Sequence, residues 1–395
     1  MEGGSYDAVV AGAGPAGAAT AREIAQQGFR VLLLEEHQRV GRPSHCSGLV
    51  SPRTLALAGI GDDLIINRIT GAVIHSPAGA ELAIGGDRLH ALAIDREGFD
   101  RALVQRAQDA GAELALGTKV ISSDCLNGQL LVRVRYRRRD LFIQTRLLIG
   151  ADGAQSRVAR GLDTHTLDSD RVVGLGAEVK LSTAYPQCAH VFVGRGVAPG
   201  FFAWVIPLGR ERARLGIATN GGRPPVHYLR ALLDRYPQIF AGVENVRQYG
   251  GLIPLKRLSR ITGDGVMLVG DAAGHVKPTS GGGIYTALLG AGLCAKVAAK
   301  VLTHGDVSAG RLACYETAWA RVMGKELERG WDLRRAVLAF SDDEIGRLLR
   351  LLRSPRLQPV ISRYGDIDFP SHLASRLVLQ GPLLRLMRVA LKGLC

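Results

Sequence analysis

The turn after the first strand constrains this chain more than any other feature. Tyr6 to Ala11 reads YDAVVA, a buried parallel strand, and Pro15 to Gln27 reads as a helix with proline in its first turn and Gly28 as its stop. Arg30 to Glu35, RVLLLE, is a second strand, so a βαβ unit of about 30 residues opens the chain. Between strand and helix stand Gly12, Gly14 and Gly17, spaced GxGxxG. The first glycine permits the tight turn, the second lets backbone approach a pyrophosphate, and the third lets helix and strand pack closely. Pro15 and Ala16 begin the helix, whose free N–H groups and partial positive charge receive the anion. Glu35 ends the second strand, where its carboxylate accepts from ribose hydroxyls. This context implies a dinucleotide site, with NAD and FAD both open.

A second motif separates them. Val269 to Ile284 reads VGDAAGHVKPTSGGGI, a strand end followed by an aspartate and then by glycines that open a helix. Asp271 is placed to hold a ribityl hydroxyl. Gly281, Gly282 and Gly283 open the following helix and offer N–H groups to the electron-rich edge of a reduced flavin. Between the two motifs, IGADGAQSRVAR closes a strand on Asp152 and Gly153. His275 and Lys277 lie in the flavin-side turn and read equally as charge-steering groups or as solvent-exposed ones.

Three motifs in this order resemble the FAD-dependent family with the para-hydroxybenzoate hydroxylase fold, over roughly residues 5–300. Two further stretches resemble geranylgeranyl reductases of the archaeal lipid-reductase branch. Gly41 to Arg53, GRPSHCSGLVSPR, is similar to their cysteine loop beside the flavin. Ala198 to Pro207, APGFFAWVIP, is similar to their aromatic PxxYxWxFP stretch, with Phe202 in place of Tyr and Ile206 in place of Phe. WVIP also resembles part of a halogenase motif. Arg96, with Phe99 and Asp100, matches the family's R-x-x-F-D helix start. The resemblance implies FAD contacts at Gly12, Gly14, Ala16, Gly17, Glu35, Cys46, Ser47, Gly48, Arg96, Val120, Asp271, Gly283 and Ile284. It also implies reduction of isolated C=C bonds in isoprenoid chains, through a hydride from flavin N5 and a proton from the protein.

Such a bond has no carbonyl to polarise it, so the reaction needs an apolar pocket that excludes water. Cys46 is the candidate proton donor, or else a small buried hydrophobe that shapes its loop. His45 reads as a surface residue, and the remaining cysteines as structural. Phe201, Phe202 and Trp204 are the candidate substrate-binding residues. Strand alternation lets only one face line a channel, so some of the three are expected to do so. The electron donor is NAD(P)H or ferredoxin, the latter a redox partner protein. The alternatives are a flavin monooxygenase or halogenase on the same fold, or electron transfer to a quinone.

The fold class expected is α/β (α+β): a Rossmann-like FAD-binding domain, an antiparallel-sheet substrate domain and a C-terminal helical region. The FAD-binding part takes residues 1–70, 91–160 and 251–305, the substrate sheet 71–90 and 161–250, and the helical region 306–395. Strand-like and turn-like segments are expected from Leu55 to Ile94. A helix is expected over Arg96 to Ala110, a hairpin over Gln129 to Leu148 and a long helix over Gly282 to Leu302. The six cysteines form no CxxC pair, so no metal site is expected. A net charge of +14 favours anionic partners, yet no nucleic-acid motif appears. LLRLLRS near Leu348 and PLLRLMRVALKGL from Pro382 are basic and amphipathic. They suggest either peripheral contact with acidic lipid or helices that cover the substrate domain. No run of about 18 apolar, uncharged residues occurs, so no membrane-crossing helix is expected. The opening residues lack a signal-peptide pattern, which points to the cytoplasm.

Overall fold

The computed structural model describes residues 5–126, 129–164 and 170–378. Its first sheet grows from the opening βαβ unit. Ser5–Ala11 runs parallel between Arg139–Gly150 and Val31–Leu34, with Val10 opposite both Ile149 and Leu33. Residues 8–11, 31–34 and 147–150 are apolar and buried because both faces are covered there, as parallel sheets require. Glu113–Ala115 extends one edge, and Val266–Leu268 with Thr262–Gly263 the other. The helices Pro15–Ala25, Arg96–Asp109 and Ile284–His304 pack around the glycine turn. The expected hairpin forms from Gln129–Tyr136 and Arg139–Gly150, and Thr118–Leu126 adds a third antiparallel strand. Arg137 and Arg138 turn it, both with positive φ, as a two-residue hairpin turn of the I′ type demands.

The second sheet has seven strands. Their order is Glu244–Pro254, Arg171–Lys180, Arg212–Thr219, Phe202–Pro207, Cys188–Val193, Gly71–His75 and Glu81–Gly85. All neighbours are antiparallel except Cys188–Val193 beside Gly71–His75. One face buries Phe192, Val205 and Ile217 against Leu232, Tyr236 and Phe240 of the helices Pro225–Arg235 and Pro237–Phe240. The other carries Phe202 and Trp204, which border a cavity shared with the first sheet's glycine turns. A small third sheet, Leu49–Val50, Ala91–Ile94 and Ile65–Ile69, bridges the two.

One expectation is corrected and two are refined. The stretch expected to hold only strands and turns from Leu55 begins inside a helix, Pro52–Ala58, and continues through a 3₁₀ turn, Asp62–Leu64. Pro52 in its first turn and Gly59 in the left-handed region at its end are ordinary helix punctuation on a segment too short for periodicity to reveal. The helix Ile284–His304 is, by length and composition, long and apolar enough to cross a membrane, although Lys296 and Lys300 interrupt its run. Ala287, Leu288, Ala291, Cys294 and Ala298 are buried, and the helix packs on Pro15–Ala25 in the core of the first sheet. Third, the basic stretch near Leu348 forms the helix Asp342–Leu352. Its apolar side packs on Ala80, Leu82 and Phe340, while Arg347 and Arg350 stay exposed. The second basic stretch, from Pro382, lies outside the described residues.

Candidate functional site

The cavity between the two sheets has a volume of about 460 Å³. Gly14, Pro15, Ala16, Cys46, Ser47, Arg96, Asp271, Gly282, Gly283 and Ile284 border it from the first sheet's side. Phe201, Phe202, Trp204 and Tyr249 border it from the second. A further cavity of about 460 Å³ adjoins it, and the two share Leu49, Ala189, Val191 and Ile367. Its walls are almost wholly apolar: Ile69, Ala72, Ile84, Leu348 and Leu373 are among them.

The glycine turn has room for a ligand at one point only. Gly12 has φ +99°, and a side chain there would run into the Ala151 carbonyl. One on Gly17 would run into the Gly12 carbonyl. At Gly14 an added Cβ meets nothing within 4 Å, so that face opens to the cavity. No side chain caps the helix Pro15–Ala25, leaving its first N–H groups for an anion. Glu35 braces the turn. Its Oε2 accepts from the Ala13 N–H at 3.0 Å, and its Oε1 accepts from the His37 N–H at 3.0 Å and meets His37 Nδ1 at 2.6 Å.

Asp271 follows the strand Val266–Leu268. Burial pushes its carboxyl up to about 6, with nearby Arg96 pulling the other way. A buried carboxylate that borders a cavity suits a ligand bearing hydroxyl donors. Gly283, which begins the helix Ile284–His304, has no side-chain cap, and a Cβ on it would lie 2.9 Å from Asp271 Oδ1. Arg96 donates to both oxygens of Asp100, at 2.8 and 2.7 Å, and its Nε is buried without a partner. The loop holding Cys46, Ser47 and Gly48 is pinned by Arg214, which donates to the carbonyls of Ser47 at 2.8 Å and Ile94 at 2.9 Å. The Gly48 N–H points at Cys46 Sγ at 3.3 Å.

Six candidates do not line this cavity: Gly12, Gly17, Glu35, Gly48, Val120 and Asp152. Val120 is buried in the first sheet's core. The Asp152 carboxylate accepts from Ser156 Oγ at 2.5 Å and the Arg157 N–H at 2.7 Å, capping the short helix Arg157–Gly161. Its neighbours Ala151 and Gly153 do reach the cavity.

The aromatic stretch differs from the alternation expected of it. Phe202 and Trp204 share a strand face, and Phe201 precedes the strand, so all three border the cavity. Phe201 stacks on Phe202 with centroids 4.2 Å apart. His275 and Lys277 are not solvent-exposed. His275 is fully buried, stacked on Trp319 at 3.7 Å, with neither ring nitrogen hydrogen-bonded, and burial pushes its pKa down to about 3. Lys277 donates to Asp368 Oδ1 and the Ile367 carbonyl, both at 2.8 Å. The C-terminal helical region covers this turn, which the turn's own sequence cannot reveal. His45 is exposed, as expected, and its Nδ1 lies 2.7 Å from the Gly250 carbonyl. Tyr249 was not among the candidates, for no local pattern marks it.

These features fit FAD: an open glycine, uncapped helix ends and a buried aspartate bordering the cavity. A family model described as an FAD binding domain matches residues 5–329. The chain is therefore an FAD-dependent oxidoreductase. It is 31% identical over 359 residues to the digeranylgeranylglycerophospholipid reductase of Methanothrix thermoacetophila, an alignment covering 88% of this chain and 91% of that one. The reductase of the same name from Methanosphaerula palustris is 32% identical, covering 87% and 89%. The chain belongs to this geranylgeranyl reductase family. Among solved structures, a geranylgeranyl bacteriochlorophyll reductase-like protein of Thermoplasma acidophilum superposes with a TM-score of 0.86 at 23% identity, covering 96% of this chain and 97% of the other. A flavin-dependent brominase shares the fold at a TM-score of 0.72 and 17% identity, covering 95% and 98%.

Proposed function

We propose that this protein saturates C=C bonds in the geranylgeranyl or related polyprenyl chains of lipids or prenyl diphosphates. One observation carries the reading: a cavity at the flavin-binding turns adjoins a second, almost wholly apolar one. A linear isoprenoid needs that arrangement, with one double bond at the redox centre and the rest of the chain shielded from water. Bound and reduced, FAD supplies the hydride. Gly14, Pro15, Ala16 and Gly17 hold its pyrophosphate, and Glu35 and Val120 lie on the adenosine side. Asp271 takes a ribityl hydroxyl, Gly282, Gly283 and Ile284 face the flavin ring, and Arg96 with the Cys46–Gly48 loop flanks it. Phe201, Phe202 and Trp204 press the isoprenoid toward the cofactor. The electrons come from NAD(P)H or from ferredoxin as a redox partner. Where the chain is anchored in a membrane lipid, Arg347 and Arg350 are exposed beside the apolar cavity and suit an anionic surface, each worth ~1 kcal/mol there.

The test is anaerobic incubation of FAD-loaded, chemically reduced protein with geranylgeranyl diphosphate and with geranylgeranylated ether lipid, followed by mass spectrometry. Products heavier by two hydrogens per bond are expected. Unchanged chains with both substrates overturn the proposal. Dioxygen consumption coupled to a hydroxylated or halogenated product would establish the monooxygenase or halogenase reading instead.

A further inference from the structure

The cavity's second-sheet wall contains a row of four residues from four neighbouring strands. Trp204 lies opposite Gly216, Gly216 opposite Gly176, and Gly176 opposite Tyr249. Directly paired residues point to the same side of a sheet, so all four share the cavity face. The two central glycines leave space, and the flanking aromatics lean over it. A Cβ on Gly216 would lie 2.8 Å from Trp204 Nε1, and one on Gly176 would lie 2.6 Å from the Tyr249 hydroxyl. The two polar tips therefore converge above the middle of the row.

Both tips are buried, and neither completes a hydrogen bond. Leaving a buried hydroxyl and a buried indole N–H unsatisfied is destabilising. Nothing in the sheet's own packing demands them, because Phe would cover Gly176 equally well. Their surroundings keep the hydroxyl protonated. Burial pushes the Tyr249 hydroxyl above its ordinary range, so it keeps its proton at any physiological pH. The Trp204 N–H acts in the opposite sense, as does Arg214, and both favour the phenolate. Cys46 and Glu178 are the other ionisable groups within reach, and both favour the protonated hydroxyl. An indole N–H can only donate, so its best partner is a phenolate oxygen. A donor fixed in place before charge develops is the arrangement that stabilises a transition state.

We propose that the Tyr249 hydroxyl donates the proton that completes alkene reduction, and that the Trp204 indole N–H holds the phenolate left behind. The inference rests on the reductase reading above. The Tyr249 O–H bond breaks, and a C–H bond forms at one alkene carbon using the π electrons. The other carbon receives a hydride, with its electron pair, from two-electron-reduced FAD. C=C becomes CH–CH, and Tyr249 recovers its proton from water once product leaves. Cys46, on the opposite wall, then shapes the loop and contacts substrate without supplying the proton.

Tyr249→Phe keeps the ring over Gly176 and removes only the hydroxyl. FAD uptake, followed by quenching of flavin fluorescence, is expected to match the wild type. The rate constant for reoxidation of reduced enzyme by saturating geranylgeranyl diphosphate should fall at least ~100-fold, the usual contribution of a general acid, with KM within about twofold. Trp204→Phe should also take up FAD and slow the same step, on the order of 100-fold at most. A Tyr249→Phe protein that binds FAD and reduces the chain at the wild-type rate overturns this inference alone. Loss of FAD uptake by Tyr249→Phe, with Trp204→Phe at full rate, overturns it too, for the hydroxyl would then be structural. A wild-type protein that leaves the chain unsaturated overturns both this inference and the reductase reading.

Discussion

Gly14 and Gly17 stand three residues apart and answer to different constraints. Gly17 has no room for a Cβ because the Gly12 carbonyl occupies it, whereas Gly14 faces open space reserved for a ligand. Gly17→Ala is expected to cost about 3 kcal/mol or more, because backbone has to shift. Gly14→Ala should leave the melting temperature of the apo chain unchanged and weaken FAD binding at least ~10-fold. Thermal unfolding and FAD titration check the pair, and equal melting temperatures for the two variants would contradict the geometry. Asp271 makes a second residue-scale case. Its folded pKa of about 6 lies above the ordinary value of 3.8 that it regains on unfolding. The protonated form therefore costs the fold nothing at low pH, and the full penalty of the buried charge is present above pH 6. A rise of this size corresponds to roughly 3 kcal/mol. Asp271→Asn should therefore stabilise the apo chain by about that much at pH 7 and by about half as much at pH 5, while weakening FAD binding. Urea unfolding at the two pH values tests this, and an equal gain at both would refute it. The glycines and this aspartate were legible because their spacing carries the chemistry. Tyr249 was not, since its meaning comes from strands that only the folded sheet brings beside it.

At the scale of elements, the flavin-side turn is tied to the C-terminal segment. Lys277 and Asp368 form an ion pair with side chains 7% and 1% exposed. Arg53 reaches the same carboxylate at 3.4 Å and pairs with Asp366 at 2.7 Å. A buried pair contributes little net stability, but removing one partner leaves a desolvated charge. Lys277→Met is thus expected to destabilise the protein by roughly 3–5 kcal/mol, and Lys277→Met with Asp368→Leu to recover most of the loss. Denaturant unfolding of the two variants is the check, and a double variant no better than the single one would contradict it. Nothing local in the sequence foretells this contact. The elements themselves were readable: Arg96–Asp109, Gln129–Tyr136 and Ile284–His304 lie within a few residues of expectation, because caps and periodicity are local signals. Which element covers which is not local. Lys277 and His275 look like turn residues in isolation, and only the helical C-terminal region makes them interior.

At the scale of the whole molecule, the first sheet presents helix ends and glycines for an anionic, hydroxyl-rich cofactor, and the second presents an aromatic wall. The C-terminal helices close the apolar space beside it. Division of labour among these layers predicts that chain length and cofactor binding can be altered separately. Ala72 sits on the edge strand pair Gly71–His75 and Glu81–Gly85, opposite Ala189, and borders the apolar cavity but not the one at the glycine turns. Under the proposed function, Phe in its place would fill part of the space left for the isoprenoid beyond the flavin site. Ala72→Phe is expected to take up FAD like the wild type. It should shift kcat/KM toward geranyl over geranylgeranyl substrates by on the order of 10-fold, the discrimination that a changed apolar pocket delivers. Competition between the two chain lengths under anaerobic conditions, resolved by mass spectrometry, measures the ratio. If the ratio stays at the wild-type value while FAD binding is intact, the isoprenoid tail does not lie in this cavity.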